Sequence, residues 1–200
     1  MTTEVLIFKV PQHIGHHVGD QQTVHHCWKG ENIANPFSWS FSMDNENIHF
    51  LCTSSLPACN YDDTLKIGEF YEGLWERDVI EFFIMDGLSG KYQEFNFSPA
   101  GAWWTAFFKE YRTPSNESMI MPEVTIVNVT KDADCWSVSV CIKLNSLSVV
   151  VNEDSLVHIT GISPTHNIYY SSCASNTPIS FGPDFHRREV FSVVKLVALD

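Results

Sequence analysis

The chain has 200 residues and a mass of 22.7 kDa, with 44% apolar and 18% charged residues; this suits one domain over residues 1–200 with a sizeable core and excludes a disordered tail or a coiled coil. Twelve Lys and Arg against 24 Asp and Glu leave a formal charge of −12 with no basic cluster, so nucleic-acid backbones and anionic membranes are not expected partners. The amino-terminal MTTEVLIFKVPQH lacks the marks of a secretory signal and no apolar run is long enough for a membrane helix, so the chain as written is expected to be soluble and cytoplasmic.

Short runs rich in Val, Ile, Phe, Tyr, Trp and Thr, bounded by Gly, Pro, Asn or Asp, predict strands over residues 4–10, 23–29, 47–54, 78–86, 91–98, 102–110, 123–130, 135–143, 156–162, 167–172 and 190–198. The stretches between them, 11–22, 30–46, 55–74, 111–122 and 173–189, hold most of the Gly, Pro and Asn and read as loops. Helical spacing is nowhere sustained, and short helix starts occur only near 143–148 and 184–190. The alternation is plain from Cys135 to Leu144, where Trp136, Val138, Val140 and Ile142 share one face and Ser137, Ser139 and Lys143 the other. No repeat is found. The expected fold is all-β, a two-sheet antiparallel β-sandwich of jelly-roll type.

Six cysteines (Cys27, Cys52, Cys59, Cys135, Cys141, Cys173) form no CxxC pair, which predicts free buried thiols and neither a zinc site of four thiolates nor a redox motif. His13, His16, His17, His25 and His26 crowd the first 26 residues without the spacing of a ligand set. No cofactor is expected. A structural calcium could draw on Asp62 and Asp63, or on Asp44 with Glu46, but no EF-hand-like loop exists, and the metal ligands stay open.

The most informative stretch is DVIEFFIMD, the turn Gly87-Leu88-Ser89-Gly90, and KYQEFNFS. As a hairpin with that four-residue loop, it sets Asp86 against Lys91, Phe83 against Glu94 and Glu81 against Asn96. Ile80, Phe82, Ile84, Phe95 and Phe97 then form the core face, and Glu81, Phe83, Glu94 and Asn96 share the opposite one. Trp75 precedes the hairpin. The following strand carries aromatics at both parities, Trp103 with Phe107 and Trp104 with Phe108, so one pair must leave the main core. An exposed flat ring beside paired acceptors suits a sugar, whose C–H face stacks on the ring while its hydroxyls donate to carboxylate and amide oxygens.

These residues also resemble a known family. GLWERDVIEFFI from Gly73, YQEFNFSPAGAWW from Tyr92 and PDFHRREVF from Pro183 resemble, in that order, the family 9 carbohydrate-binding module and its wider DOMON-like relatives, over the chain from about Ile48 to its end. The resemblance implies a β-sandwich that clamps a terminal sugar between two aromatic rings. It places the first clamp on Trp75, with Glu81 and Asn96 as the polar strand residues. The chain departs from the family pattern at Glu94, where sugar binders carry an arginine, and in the region ISPTHNIYYSS, where Tyr169 or Tyr170 would be the second clamp. Arg187 or Arg188 would supply the missing cation and His186 a donor.

The expected function is thus non-catalytic recognition of a small sugar or sugar terminus. Alternatives are a protein-interaction module of the same fold, a glycoside hydrolase working through Glu81 and Glu94, and a haem-binding DOMON domain using Met85 with His158 or His186. Against the hydrolase stands the expectation that both carboxyls lie on a flat exposed face, where nothing raises their pKa. Sequence leaves the oligomeric state open.

Overall fold

The computed structural model describes residues 4–11, 20–115, 121–173 and 182–198; His13, His16 and His17 lie outside them. Thirteen strands follow in chain order: β1 (Glu4–Lys9), β2 (Gln22–His26), β3 (Asn32–Met43), β4 (Asn47–Ser54), β5 (Val79–Asp86), β6 (Tyr92–Phe97), β7 (Trp103–Glu110), β8 (Thr113–Pro114), β9 (Val124–Lys131), β10 (Trp136–Lys143), β11 (Ser155–Ser163), β12 (Ile168–Ser171) and β13 (Ser192–Ala198). The all-β expectation holds. The two predicted helix starts are single 3-10 turns, Leu144–Ser146 and Arg188–Val190, and a third turn, Leu74–Glu76, carries Trp75. Among the described residues no helix is long and apolar enough to cross a membrane.

Hydrogen bonds link the strands in the order β8-β7-β6-β5-β11-β13-β1-β3-β4-β10-β9, with β12 added to β11 and β2 to β3. The purely antiparallel expectation is corrected, because β1 runs parallel to both β13 and β3. The first and last described strands lie side by side in the same direction, which no local turn can arrange. The path folds back on itself. Phe82 of β5 lies 4.9 Å from Phe50 of β4 and 5.5 Å from Phe41 of β3, although several strands separate them along the path. The core faces of the two halves therefore pack against each other, with Ile80, Phe82, Ile84, Phe95 and Phe97 on one side and Phe37, Trp39, Phe41, Phe50 and Cys52 on the other.

Two strands are absent from the sequence reading: the two-residue β8, inside the predicted loop 111–122, and the long β3, inside the predicted loop 30–46. Asn, Pro and Ser made that segment look like a loop, yet Phe37, Trp39 and Phe41 alternate with Ser38, Ser40 and Ser42 and bury one face against the core. All six cysteines are free. Burial was expected of them all and is found only for Cys52; Cys59 is exposed and the other four are half-buried.

Candidate binding cleft

β5 and β6 pair in the expected register, Glu81 against Asn96 and Phe83 against Glu94. Asp86 sets the turn between them: its carboxylate accepts the Leu88 N–H at 2.9 Å and the Ser89 hydroxyl at 2.7 Å, while Gly90 adopts the left-handed φ of 74°. β11 and β7 extend the face on either side. One row across it reads Thr160, Glu81, Asn96, Trp104, and the next reads His158, Phe83, Glu94, Ala106. Trp104 and Phe108 are thus the aromatic pair that leaves the main core, while Trp103 and Phe107 pack into it.

Three segments wall this face into a cleft of about 360 Å³. The turn at Leu74–Glu76 is pinned by buried Leu74 and presents Trp75, which is 37% exposed and meets Trp104 edge-on with ring centroids 4.8 Å apart. The segment before β13 brings Phe185 and His186, whose ring packs edge-on against Phe83 and Phe108, each 5.2 Å away. Beyond β7, Arg112 takes a left-handed φ of 48°; its N–H donates to the Tyr92 hydroxyl at 3.1 Å and its guanidinium to the Asp184 carboxylate at 3.0 Å.

The polar floor is dry. Glu81 is 2% exposed, Glu94 5% and Asn96 0%. Thr160 donates its hydroxyl to Glu81 Oε2 at 2.8 Å, and burial nevertheless pushes the Glu81 carboxyl up to about 7. Glu94 is raised well above the ordinary carboxylate range, first by burial and then by the neighbouring Glu81 charge; the Asn96 amide and the Arg112 cation oppose this in part. Asn96 lies near enough to Glu94 to moderate it, yet neither of its buried side-chain atoms makes a hydrogen bond of good geometry. His186 Nδ1 lies 2.8 Å from the Tyr92 hydroxyl and its Nε2 lies 3.8 Å from Glu94 Oε2. Tyr92 accepts from the Arg112 N–H and shares a second hydrogen bond with His186 Nδ1, whose direction depends on the His186 tautomer. Burial, with the Arg112 charge, lowers His186 to about 4, so the ring is neutral near pH 7.

No family model and no curated protein matches the chain. Solved structures do. A candidate carbohydrate-binding protein from Bacteroides uniformis aligns with a TM-score of 0.65 at 12% identity, over 98% of this chain and 100% of that one. A carbohydrate-binding module of family 9 from Caldicellulosiruptor kristjanssonii, in complex with glucose, aligns with a TM-score of 0.59 at 10% identity over 99% and 97% of the two chains. The complex of a family 9 module from that organism with cellotriose gives 0.55 at 10% identity, over 99% and 95%. This chain has the family 9 module fold.

Within that family 9 fold, Trp75, Glu81 and Glu94 line one cleft; Asn96, paired with Glu81 and Trp104 on the same sheet, is wholly buried behind the lining. The expected open sheet face is corrected: the walls supplied by Arg112, Phe185 and His186 bury the acceptors, and the resulting desolvation raises both carboxyls. Tyr170 is no clamp. It is buried, stacks on Phe37 at 5.0 Å and donates its hydroxyl to the Asn35 carbonyl at 2.9 Å, because its β12 position faces the core. Tyr169 lines a different cleft beside Trp28, and Arg187 turns away to pair with Glu189 at 3.6 Å. Arg188 donates to the Gly87 carbonyl at 2.7 Å on the hairpin turn.

The cation at the cleft is Arg112, which the sequence reading missed. Its one signal was numbering, since 104, 108 and 112 share a parity, and that signal is blurred by a bulge between Phe108 and Glu110. Phe83, Phe108 and Phe185 supply the remaining aromatic lining. For haem ligation, Met85 is packed in an aromatic cluster, and both His158 nitrogens are taken, Nδ1 by the Phe185 carbonyl at 3.0 Å and Nε2 by the Ser171 hydroxyl at 2.8 Å. Among the described residues no group of three or more His, Cys, Asp or Glu is set to hold a metal. In the two loops weighed for calcium, Asp44 accepts the N–H groups of Glu46 and Asn47, and Asp62 accepts the Thr64 N–H and hydroxyl.

Proposed function

We propose that this chain is a single β-sandwich module that binds a small sugar, or the end of a sugar chain, through protein side chains alone and without catalysis. The carrying observation is the juxtaposition of the part-exposed Trp75 indole, backed by Trp104, with two buried carboxyls lining the same cleft, Glu81 and Glu94. An indole offers a flat apolar face for the C–H surface of a pyranose, and hydroxyls can donate to the carboxyl oxygens of Glu81 and Glu94. The cleft volume of about 360 Å³ suits one or two sugar rings. Structures of the same fold hold glucose and cellotriose, which supports the ligand class. The raised carboxyls remove the original ground for setting a hydrolase aside, so the non-catalytic reading rests on the fold neighbours and carries its own test.

Calorimetric titration of mono- and disaccharides checks the reading, with Trp75→Ala as the control. Binding should weaken about three- to tenfold in that variant with the melting temperature unchanged, since the ring contributes stacking and little core packing. Silence of the wild-type protein across the panel would overturn the sugar reading. Release of reducing ends from an oligosaccharide during long incubation would overturn the non-catalytic one.

A further inference from the structure

Among the described residues, Arg112 at the cleft wall is the cation that lines the cleft, and its charge only partly offsets the burial of the two carboxyls on the floor. Glu81 and Glu94 are diagonal neighbours on adjacent strands, both at least nine-tenths buried, with the wholly buried Asn96 amide beside them. The hydrogen bond that Glu81 accepts comes from a neutral hydroxyl, that of Thr160. Glu94 faces the neutral ring of His186 across 3.8 Å. Arg112 is the cation lining the cleft, and its Nε and one terminal nitrogen are both committed to Asp184, at 3.3 and 3.0 Å. The other titratable groups around the pair are the Tyr92 phenol, held high by burial, and His158 behind Phe83, lowered to about 4; neither is a cation near pH 7.

We infer that the cleft selects a saccharide bearing a protonated amine, received between Glu81 and Glu94, over the neutral sugar of the same ring. This rests on the sugar-binding reading above and narrows its ligand class. With the cleft empty, two buried carboxylates side by side are avoided by retaining protons, which agrees with the raised pKa of each. An ammonium brought between them supplies three donors and one positive charge, so one carboxyl of the pair ionises and its proton leaves to solvent, while the other stays protonated. A hydroxyl in the same place supplies one donor and no charge.

Calorimetry on the full chain at pH 6.5 tests this with glucosamine, glucose, N-acetylglucosamine and cyclohexylamine. Glucosamine should bind at least about tenfold tighter than glucose or N-acetylglucosamine, the difference expected between charged and neutral hydrogen bonds. Its binding enthalpy should vary with the ionisation enthalpy of the buffer, reporting the released proton, and its affinity should rise from pH 5 to pH 6.5. Glu81→Gln should reduce the preference, and Glu94→Gln, on the neighbouring strand, provides a second variant should the first fail to fold. Equal affinities for glucosamine and glucose would overturn the inference and leave the sugar reading standing. Failure of every sugar to bind would overturn both, and cyclohexylamine binding as tightly as glucosamine would overturn the saccharide part of the claim.

Discussion

Glu81 keeps its proton to about pH 7 because its carboxyl lies on the dry cleft floor with one hydroxyl donor, whereas in the unfolded chain it ionises near 4.5. A folded pKa raised in this way favours the native state below 4.5, and the advantage is lost as pH rises through 7. His158 and His186 act in the opposite sense. Both are lowered by burial from 6.5 to about 4, so their contribution is present above 6.5 and disappears as pH falls toward 4. Between about pH 4.5 and 6.5 the two kinds of group offset each other. Glu81→Gln removes one of the two raised carboxyls, so the variant should gain stability relative to the wild type as pH rises from 4.5 to 7, by up to about 3 kcal/mol. Urea unfolding of both proteins at pH 4.5, 5.5, 6.5 and 7.5 checks it; a difference that does not change with pH would mean the carboxyl titrates as it does in water.

Among the elements, β11 packs against β3 at Gly161, which lies directly under the Phe37 ring. A Cβ built on Gly161 would lie 2.7 Å from the Phe37 ring, which is itself held by the stacked Tyr170 ring 5.0 Å away. Gly161→Ala should therefore destabilise the protein by about 1–3 kcal/mol through overpacking, and Phe37→Leu in the same background should recover part of the loss. Thermal or denaturant unfolding measures both. The hairpin of β5 and β6 was legible beforehand down to its register, because the turn length fixes the pairing and the period-two pattern fixes the faces. β3 was not legible. Its Asn, Pro and Ser carry loop statistics, and what makes it a strand is the pairing with β1, β2 and β4, which an isolated segment does not display.

Across the whole molecule, the joint between the two halves of the folded sheet is aromatic, and Phe82 stands at its centre against Phe41, Phe50, Phe95 and Phe97. Phe82→Ala should cost about 3–5 kcal/mol of unfolding free energy, the range for emptying a packed aromatic site, while a merely local role would keep the loss below about 1 kcal/mol. The expectation of antiparallel pairing failed at this scale, since β1 enters between β13 and β3 in parallel with both. The same scale decides the cleft. Alternation in the sequence determined that Glu81, Glu94 and Asn96 share a face, that they oppose a phenylalanine core, and that an indole lies nearby, because strand periodicity and turn length are local properties of the chain. Only the tertiary structure decided that this face is covered, that Arg112 supplies the cleft cation in place of Arg187, and that Tyr170 belongs to the core. Those outcomes depend on chain far away in sequence, as in the contact of His186 with Tyr92 across 94 positions, and the burial it creates is what moves protons on the floor. A residue's pairing partner is written near it, but its exposure to water is set by whatever else folds over it.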